Sequence, residues 1–127
     1  MRTNFWNPLY INSAGTQIEV GGPFDWEGGT GHVSIQWTVT QGAVHAGGQT
    51  GSYNQGDNDW EDNENAQGGR FRAGEATASG TILGTSTPPP APWPPQPVQL
   101  VVDTDRGVAI DGDLDRLAAE GGVTTAA

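Results

Sequence analysis

The segment 32–40 constrains the fold more than any other part of the chain. It reads His-Val-Ser-Ile-Gln-Trp-Thr-Val-Thr, so apolar and polar residues alternate along it. A period of two places the apolar side chains on one face of an extended strand and the polar ones on the other. Strands with one buried and one wet face are typical of antiparallel sheets rather than of parallel α/β cores. The segment therefore predicts a half-buried strand in an all-β domain.

Shorter strand-like patterns occur on both sides of this segment, at 16–20, 70–72, 75–83 and 98–102. Clusters of Gly and Pro separate them and favour turns. We expect Ala43 and Val44 to extend the main strand past a bulge at Gly42. About six or seven short strands divided by turns are typical of an antiparallel β-sandwich, which is the fold class that we predict.

We predict a sandwich domain at 16–110, which includes two weakly patterned segments, 46–69 and 88–97, and is flanked by 1–15 and 111–127. Residues 1–15 contain an Asn-Pro pair and predict an irregular N-terminal arm. Residues 46–69 are rich in Gly, Asn and Asp, contain no aliphatic residue larger than alanine and predict a long acidic loop. The proline-rich segment 88–97 predicts polyproline II, because proline cannot donate to a ladder. Residues 111–127 predict a short helix and a mobile tail.

Two stretches near the end of the predicted sandwich resemble a known family. Residues 74–80 read Gly-Glu-Ala-Thr-Ala-Ser-Gly and residues 96–100 read Gln-Pro-Val-Gln-Leu. In this order they resemble the last two strands of bacterial and phage immunoglobulin-like domains, and the resemblance covers residues 74–102. It implies an immunoglobulin-like sandwich with a structural or interaction role. The proline insertion and the absence of a disulfide depart from the better-known members, and no functional residues carry over.

Net charge excludes several classes of partner. The chain has 15 acidic residues against five arginines and no lysine, which gives a formal charge of −10. A nucleic-acid binder needs a basic surface to displace phosphate counterions, and an anionic membrane is disfavoured for the same reason. Cationic partners and Ca²⁺ are favoured instead, unless the acidic residues only solvate the surface.

The supply of core residues is small. Leu, Ile, Val and Phe together make up 22 of the 127 residues, below the roughly one fifth at which high net charge begins to indicate disorder. Five tryptophans offset part of this shortage, since each can bury about 200 Å². We therefore expect a small core that contains Trp37, which lies in the apolar phase of the main strand.

The chain has no cysteine, which excludes disulfides, thiolate catalysis and zinc–cysteine sites. Its first residues lack the apolar run of a signal peptide, and no stretch is apolar enough to span a bilayer. We expect synthesis in the cytoplasm, which is compatible with assembly into a virion or another released particle.

Carboxylates spaced by two residues cluster near the C-terminus and suggest a Ca²⁺ site, because several oxygens must converge on this ion. The candidate ligands are Asp103, Asp105, Asp111, Asp113 and Asp115. An EF-hand is excluded, since Arg116 and Gly122 stand where that loop requires Gly and Glu. An irregular Ca²⁺ site and ordinary solvated loop charge both remain open, and no other cofactor is predicted.

No catalytic pattern is present. His32 and His45 flank the main strand, up to about 43 Å apart in an extended chain, and cannot converge unless the strand folds back. The sequence lacks a nucleophile elbow, a phosphate-binding glycine loop and an HExxH motif. The loop acids could supply a glycosidase pair only within a cleft that a domain of this size does not offer. We predict that the protein is not an enzyme.

Four tryptophans lie outside the alternating strand, in segments predicted to be irregular. Aromatic rings on a β-sandwich can form a platform for sugar rings, with acids and amides binding the hydroxyl groups. The alternative is that they fix loops to the core. The candidate contact residues for a glycan or a protein partner are Trp26, Tyr53, Trp60 and Trp93.

The sequence thus favours two classes of function. The first is a non-catalytic structural or interaction protein that docks onto or builds a larger assembly, such as a virion or an extracellular particle. Its contacts, with a protein partner or with further copies, would use the termini and the proline-rich segment. The second is a glycan-binding module whose surface is formed by Trp26, Trp60 and the acidic loop.

Overall fold

The computed structural model describes residues 1–103, which form nine strands and no helix. The strands are β1 (Arg2–Thr3), β2 (Leu9–Ile11), β3 (Gln17–Asp25), β4 (Thr30–Gln41), β5 (Val44–Gln49), β6 (Tyr53–Asn54), β7 (Asp59–Asn65), β8 (Gly74–Thr87) and β9 (Gln96–Val102). The prediction of an all-β fold is confirmed. Expectations for the chain after Asp103, including the short helix in 111–127, lie outside the described residues. Within residues 1–103, no helix could cross a membrane.

The strands form one mixed sheet. Their order is β1-β3-β2-β9-β8-β4-β5, with β6 beside β4 and β7 beside β3. Every pair is antiparallel except β2 and β9, which run parallel. The expectation of a purely antiparallel sheet is therefore wrong. The reason is that β2 forms a hairpin with β3 on one side and lies beside the final described strand on the other, in the same direction.

Strands β5 and β3, which lie near opposite ends of this order, are connected through β7. The His45 N–H donates to the Gln67 carbonyl at 3.0 Å, and the Gln67 N–H donates to the His45 carbonyl at 2.8 Å. Gln67 follows β7, and β7 pairs with β3 from Gln17 to Pro23. Hydrogen bonds thus connect β5 to β7 and β7 to β3, so the sheet wraps around a single interior.

The alternating segment forms the centre of the longest strand pairing. β4 pairs with β8 from Thr30 to Thr40 and with β5 from Gln36 to Gln41. Its apolar side chains, Val33, Ile35, Trp37 and Val39, are at most 1% exposed, as the period of two predicts. The expectation that Ala43 and Val44 extend this strand is wrong. Gly42 has a φ of +63°, and this conformation, natural for glycine, turns the chain back into β5.

The prediction of a long loop at 46–69 is also wrong. Most of β5 and all of β6 and β7 lie within this range. β7 reads Asp-Trp-Glu-Asp-Asn-Glu-Asn, with one apolar residue, Trp60, which is fully buried. The strand forms because its backbone pairs with β3 over its whole length. Side-chain patterns do not report such pairing, since the backbone groups that make it are common to all residues.

Residues 1–15 do not form an irregular arm. Phe5, Leu9 and Ile11 belong to the core, and Met1 is fully buried. The Met1 ammonium donates to Glu27 Oε1, and the Arg2 Nε donates to Glu27 Oε2, both at 2.8 Å. The N-terminal segment is therefore a structural part of the sheet and its core.

Three aromatic residues join segments that are far apart in the sequence. We call Phe5, Trp60 and Trp93 the Trp60 cluster. The Phe5 ring lies 5.6 Å from Trp60, edge-on, and 4.8 Å from Trp93. The Trp60 Nε1 also donates to the Thr3 hydroxyl at 2.9 Å. The cluster connects the N-terminal segment, β7 and the proline-rich segment.

The proline-rich segment is fastened across β8. Residues 88–95 form neither strand nor helix, and β9 begins at Gln96, so the end of the predicted 88–97 segment belongs to the sheet. The Trp93 ring packs over Gly80, where an added Cβ would lie 2.3 Å from a ring carbon. The Ala91 N–H donates to the Met1 carbonyl at 2.9 Å. These contacts tie the segment to both β8 and the N-terminus.

We expect Trp60→Ala to lower the free energy of unfolding by about 3–5 kcal/mol. The substitution removes a fully buried indole together with its contacts to Phe5 and Trp93. Trp6→Ala is the matched control, because it removes the same side chain where it is 38% exposed, and it is expected to cost much less. Urea denaturation measures both losses, and equal losses would contradict the core position of Trp60.

We expect the stabilising effect of Glu27 to depend on pH. Hydrogen bonds from the N-terminal ammonium and then from Arg2 lower the pKa of Glu27 below its ordinary value of 4.5. A carboxyl group with a lowered pKa stabilises the folded state above its ordinary pKa, and this contribution disappears as the pH falls through the folded-state pKa. Glu27→Gln should lower the melting temperature at neutral pH but not in strong acid. Equal melting temperatures at neutral pH would refute this.

Candidate functional site

The four aromatic residues predicted as contacts lie in two separate clusters. Trp60 and Trp93 belong to the Trp60 cluster. Trp26 and Tyr53 flank Phe24, with ring centroids 5.4 and 5.2 Å from it. The structure thus brings these residues together in pairs, but not into one surface. Because Trp60 is fully buried, the prediction that its ring forms part of a contact surface is wrong.

The polar atoms of the second cluster are used within the fold. The Trp26 Nε1 donates to the Asp57 carbonyl at 2.9 Å. The Tyr53 hydroxyl accepts a hydrogen bond from the Glu61 N–H at 3.3 Å. Both rings are half-buried. This arrangement fits the alternative considered from the sequence, in which aromatic residues fix loops to the core.

Only one of the five predicted Ca²⁺ ligands lies in the described part of the chain. Asp103 follows β9, is 8% exposed and donates its N–H to the Ile11 carbonyl at 2.9 Å. The other four candidates lie outside the described residues. Residues 1–103 contain no group of three or more His, Asp or Glu side chains arranged to hold a metal ion. The calcium site therefore stays a prediction.

The two histidines do not share a site. β4 does fold back into β5, but His45 pairs with Thr40 at one end of β4, whereas His32 contacts Asn54 near the other end. Both side chains are exposed. They therefore belong to the surface.

Trp6 offers an exposed aromatic surface that sequence reasoning missed. Its side chain is 38% exposed, and it packs over Gly21 of β3, where an added Cβ would lie 2.4 Å from Cζ3. The Trp6 N–H also donates to the Gly21 carbonyl at 2.8 Å. Glycine within a strand often marks a close approach of another group. The Gly21-Gly22 pair inside β3 is therefore the signal that could have located this ring.

The strand register places four further side chains on the outer face of the sheet on which the Trp6 ring packs. Gly21 lies opposite Glu61 of β7, and Glu19 precedes it by two residues on β3. Tyr10 of β2 lies opposite both Glu19 and Val101 of β9. Residues opposite each other on paired strands, like residues two apart on one strand, present their side chains on the same face. We call this set the Trp6 platform: Trp6, Tyr10, Glu19, Glu61 and Val101.

Formal charge is distributed unevenly over the sheet. Residues 28–56 and 76–102 contain no Asp, Glu, Lys or Arg, and they supply β4, β5, β6, β9 and most of β8. The acidic side chains of the sheet lie mainly on β3 and β7. The acidic residues and the uncharged polar residues therefore lie mainly on different strands of the sheet.

The outward side chains of β4, β5 and β8 form rows of uncharged polar groups. Thr38 lies between Gly47 and Ser79, and Gln36 lies between Gln49 and Thr81. A shallow depression of about 330 Å³ follows these rows, lined in part by Gln36, Thr38, Gly47, Ser79 and Thr81. We call eight adjacent outward residues of these three strands the neutral face: Gln36, Thr38, Thr40, Gly47, Gln49, Thr77, Ser79 and Thr81. Two exposed residues lie at its edge, Glu75 next to Thr77 along β8 and His45 opposite Thr40.

The carboxylates of Asp62 and Glu64 lie between β5 and β7, and that of Asp62 accepts a hydrogen bond from a core residue. The Trp37 Nε1 donates to Asp62 Oδ2 at 2.8 Å. A Cβ added at Gly48 would lie 2.7 Å from this oxygen and 3.1 Å from Glu64 Oε2. Asp62 thus satisfies a buried indole N–H, which otherwise would carry a desolvation cost. The two carboxylates leave no room for a side chain on β5 at position 48, which explains the glycine there.

A scan against protein-family models and a search of curated proteins found no match for the chain. Function is therefore inferred from the surface features of the molecule.

Calcium binding at the predicted acidic cluster is tested by thermal unfolding. If Asp103 and the acids that follow it bind Ca²⁺, millimolar Ca²⁺ is expected to raise the melting temperature, because an ion that binds only the folded chain stabilises it. Mg²⁺ at the same concentration controls for charge screening. The absence of a shift, or the same shift with both ions, would dismiss the calcium site.

Proposed function

We propose that this chain is a non-catalytic structural or interaction protein that docks onto or builds a larger assembly, such as a virion or an extracellular particle. The observation that carries the proposal is the neutral face. It spans three adjacent strands of a protein whose formal charge is −10, and it presents amide and hydroxyl groups without an ionised side chain.

The physical argument rests on the cost of bringing acidic surfaces together. Copies of a strongly acidic protein repel one another, and an unpaired charge that becomes buried in a contact is costly. The cores of protein interfaces are accordingly depleted of charged residues. A face without formal charge is thus the surface through which an acidic domain can meet a neighbour at the lowest electrostatic cost.

The neutral face replaces the contact surfaces expected from the sequence. The termini and the proline-rich segment were expected to dock onto the assembly. Met1 is buried, however, and residues 91 and 93 are bonded to the N-terminus and packed on β8. Contacts through the N-terminus or the proline-rich segment would require that these segments first leave the fold, whereas the neutral face is already at the surface.

The immunoglobulin-like resemblance forms part of this proposal. The segment 74–102 contains β8 and β9, which pair antiparallel between Gly74 and Ala78. This pairing supports the comparison with the last two strands of such a domain. A structural or interaction role is what the resemblance implies, and it agrees with the role argued from the neutral face.

A glycan-binding module is the second candidate. Its support is the depression on the neutral face, where Gln36, Thr38 and Thr81 supply uncharged groups of the kind that bind sugar hydroxyls. The lining contains one aromatic residue, Trp37, whose side chain is only 1% exposed. A sugar would therefore find no ring on which to stack, and the assembly role is better supported.

The assembly role is tested by placing charge on the neutral face. Gln36→Glu with Gln49→Glu adds two carboxylates with almost no change in size, and these positions face each other across β4 and β5. We expect the native chain to associate with itself in sedimentation experiments over a concentration series, and the double variant to associate less, because the new charges repel.

Gln55→Glu is the matched control, since it adds the same group at an exposed position after β6. It should associate as the native chain does. A native chain that stays monomeric at every concentration would contradict assembly from its own copies. Binding in a glycan array that disappears with Gln36→Glu would establish the second candidate instead.

A further inference from the structure

We propose that the Trp6 platform is a docking site for a cationic side chain, an arginine presented by a basic protein partner. This surface lies on β3, β2, β7 and β9, apart from the neutral face on β4, β5 and β8. The proposal thus goes beyond the assembly role and does not depend on it.

The Trp6 ring is placed to receive a cation on its outward side. One side of the ring packs over Gly21 of β3, and the side chain remains 38% exposed. A guanidinium positioned over the face of an indole, within about 6 Å of its centre, is attracted by the ring quadrupole. Packing against the strand fixes the ring beforehand, so little side-chain freedom is lost when a partner binds.

A carboxylate on the same outer face supplies the opposite charge. Glu61 lies across from Gly21, directly beside the position that the ring covers. Glu61 is exposed and forms no ion pair with the described residues, where Arg2 and the N-terminal ammonium both pair with Glu27. Glu61 is therefore available to a charge from outside the chain.

Arginine fits this set of groups better than lysine. Its planar guanidinium stacks on an aromatic ring and can also hydrogen-bond a carboxylate with two parallel N–H groups. The apolar surface of Val101, which is 40% exposed, can cover the alkyl part of such a side chain. The formal charge of −10 attracts basic partners from a distance and disfavours a second copy of this chain at an acidic surface.

The test uses the native chain and a matched pair of peptides, acetyl-Gly-Arg-Gly-amide and the same peptide with citrulline. Citrulline keeps the shape of arginine but carries no charge. The indole N–H signal of Trp6 is identified in NMR spectra with Trp6→Phe, and its shift is followed during titration. We expect a saturable shift with the arginine peptide and none with the citrulline peptide.

Glu61→Gln should weaken binding of the arginine peptide by about twofold or more, the range of an exposed ion pair. Glu64→Gln is the matched control, because it makes the same change on β7 at the opposite face, opposite Ile18 rather than Gly21, and should leave binding unchanged. Melting curves verify that both variants fold.

Three results would overturn the proposal. The first is an equal response to the arginine and citrulline peptides. The second is an equal loss with Glu61→Gln and Glu64→Gln, which would indicate general attraction to an acidic protein. The third is a shift of the Trp6 signal with a neutral oligosaccharide such as cellotetraose but not with the arginine peptide, which would identify the platform as a sugar site. Each of these leaves the sedimentation test of the assembly role unaffected.

Discussion

The packing of Trp60 against Phe5 and Trp93 is the contact on which the rest of the structure depends. Trp60 is the only apolar residue of β7, and its partners come from the N-terminal and proline-rich segments. The Thr3 hydroxyl accepts the Trp60 N–H, so the buried indole has its hydrogen bond. Because the chain has few aliphatic residues, these rings provide buried apolar surface that aliphatic side chains provide in most proteins. Through them the N-terminal segment, β7 and the proline-rich segment all contribute to one core.

The sequence predicted those elements whose own side chains repeat with a clear period. The alternation around Trp37 correctly placed β4, and Val98 to Val102 correctly indicated β9. β7 could not be found in this way, because it is held by backbone pairing with β3 and by one buried ring. The parallel pairing of β2 with β9 joins residues about ninety positions apart, and no local pattern reports such a contact.

The same limit applies to the candidate sites. The composition gave the net negative charge of the chain but not the position of the acidic side chains on the surface. That position depends on the pairing of β3 with β7. The sequence did not distinguish Trp6 from the other tryptophans, and the structure shows that its ring packs on Gly21, which lies opposite Glu61. Conversely, Trp60 was predicted to contact a partner because of its residue type, but its ring is buried and cannot do so. The molecule thus separates a neutral face from an acidic, aromatic one.

Amide hydrogen exchange of the native chain, followed by NMR, tests most directly whether the Trp60 cluster makes these segments part of the fold. The N–H groups of Trp6, Phe24 and Ala91 donate to Gly21, Asn58 and Met1. If the cluster holds the segments together, these three should exchange as slowly as the amides shared by β4 and β8, because both sets open only when the whole domain unfolds. Rapid exchange of the three, alongside slow exchange in β4 and β8, would contradict the account.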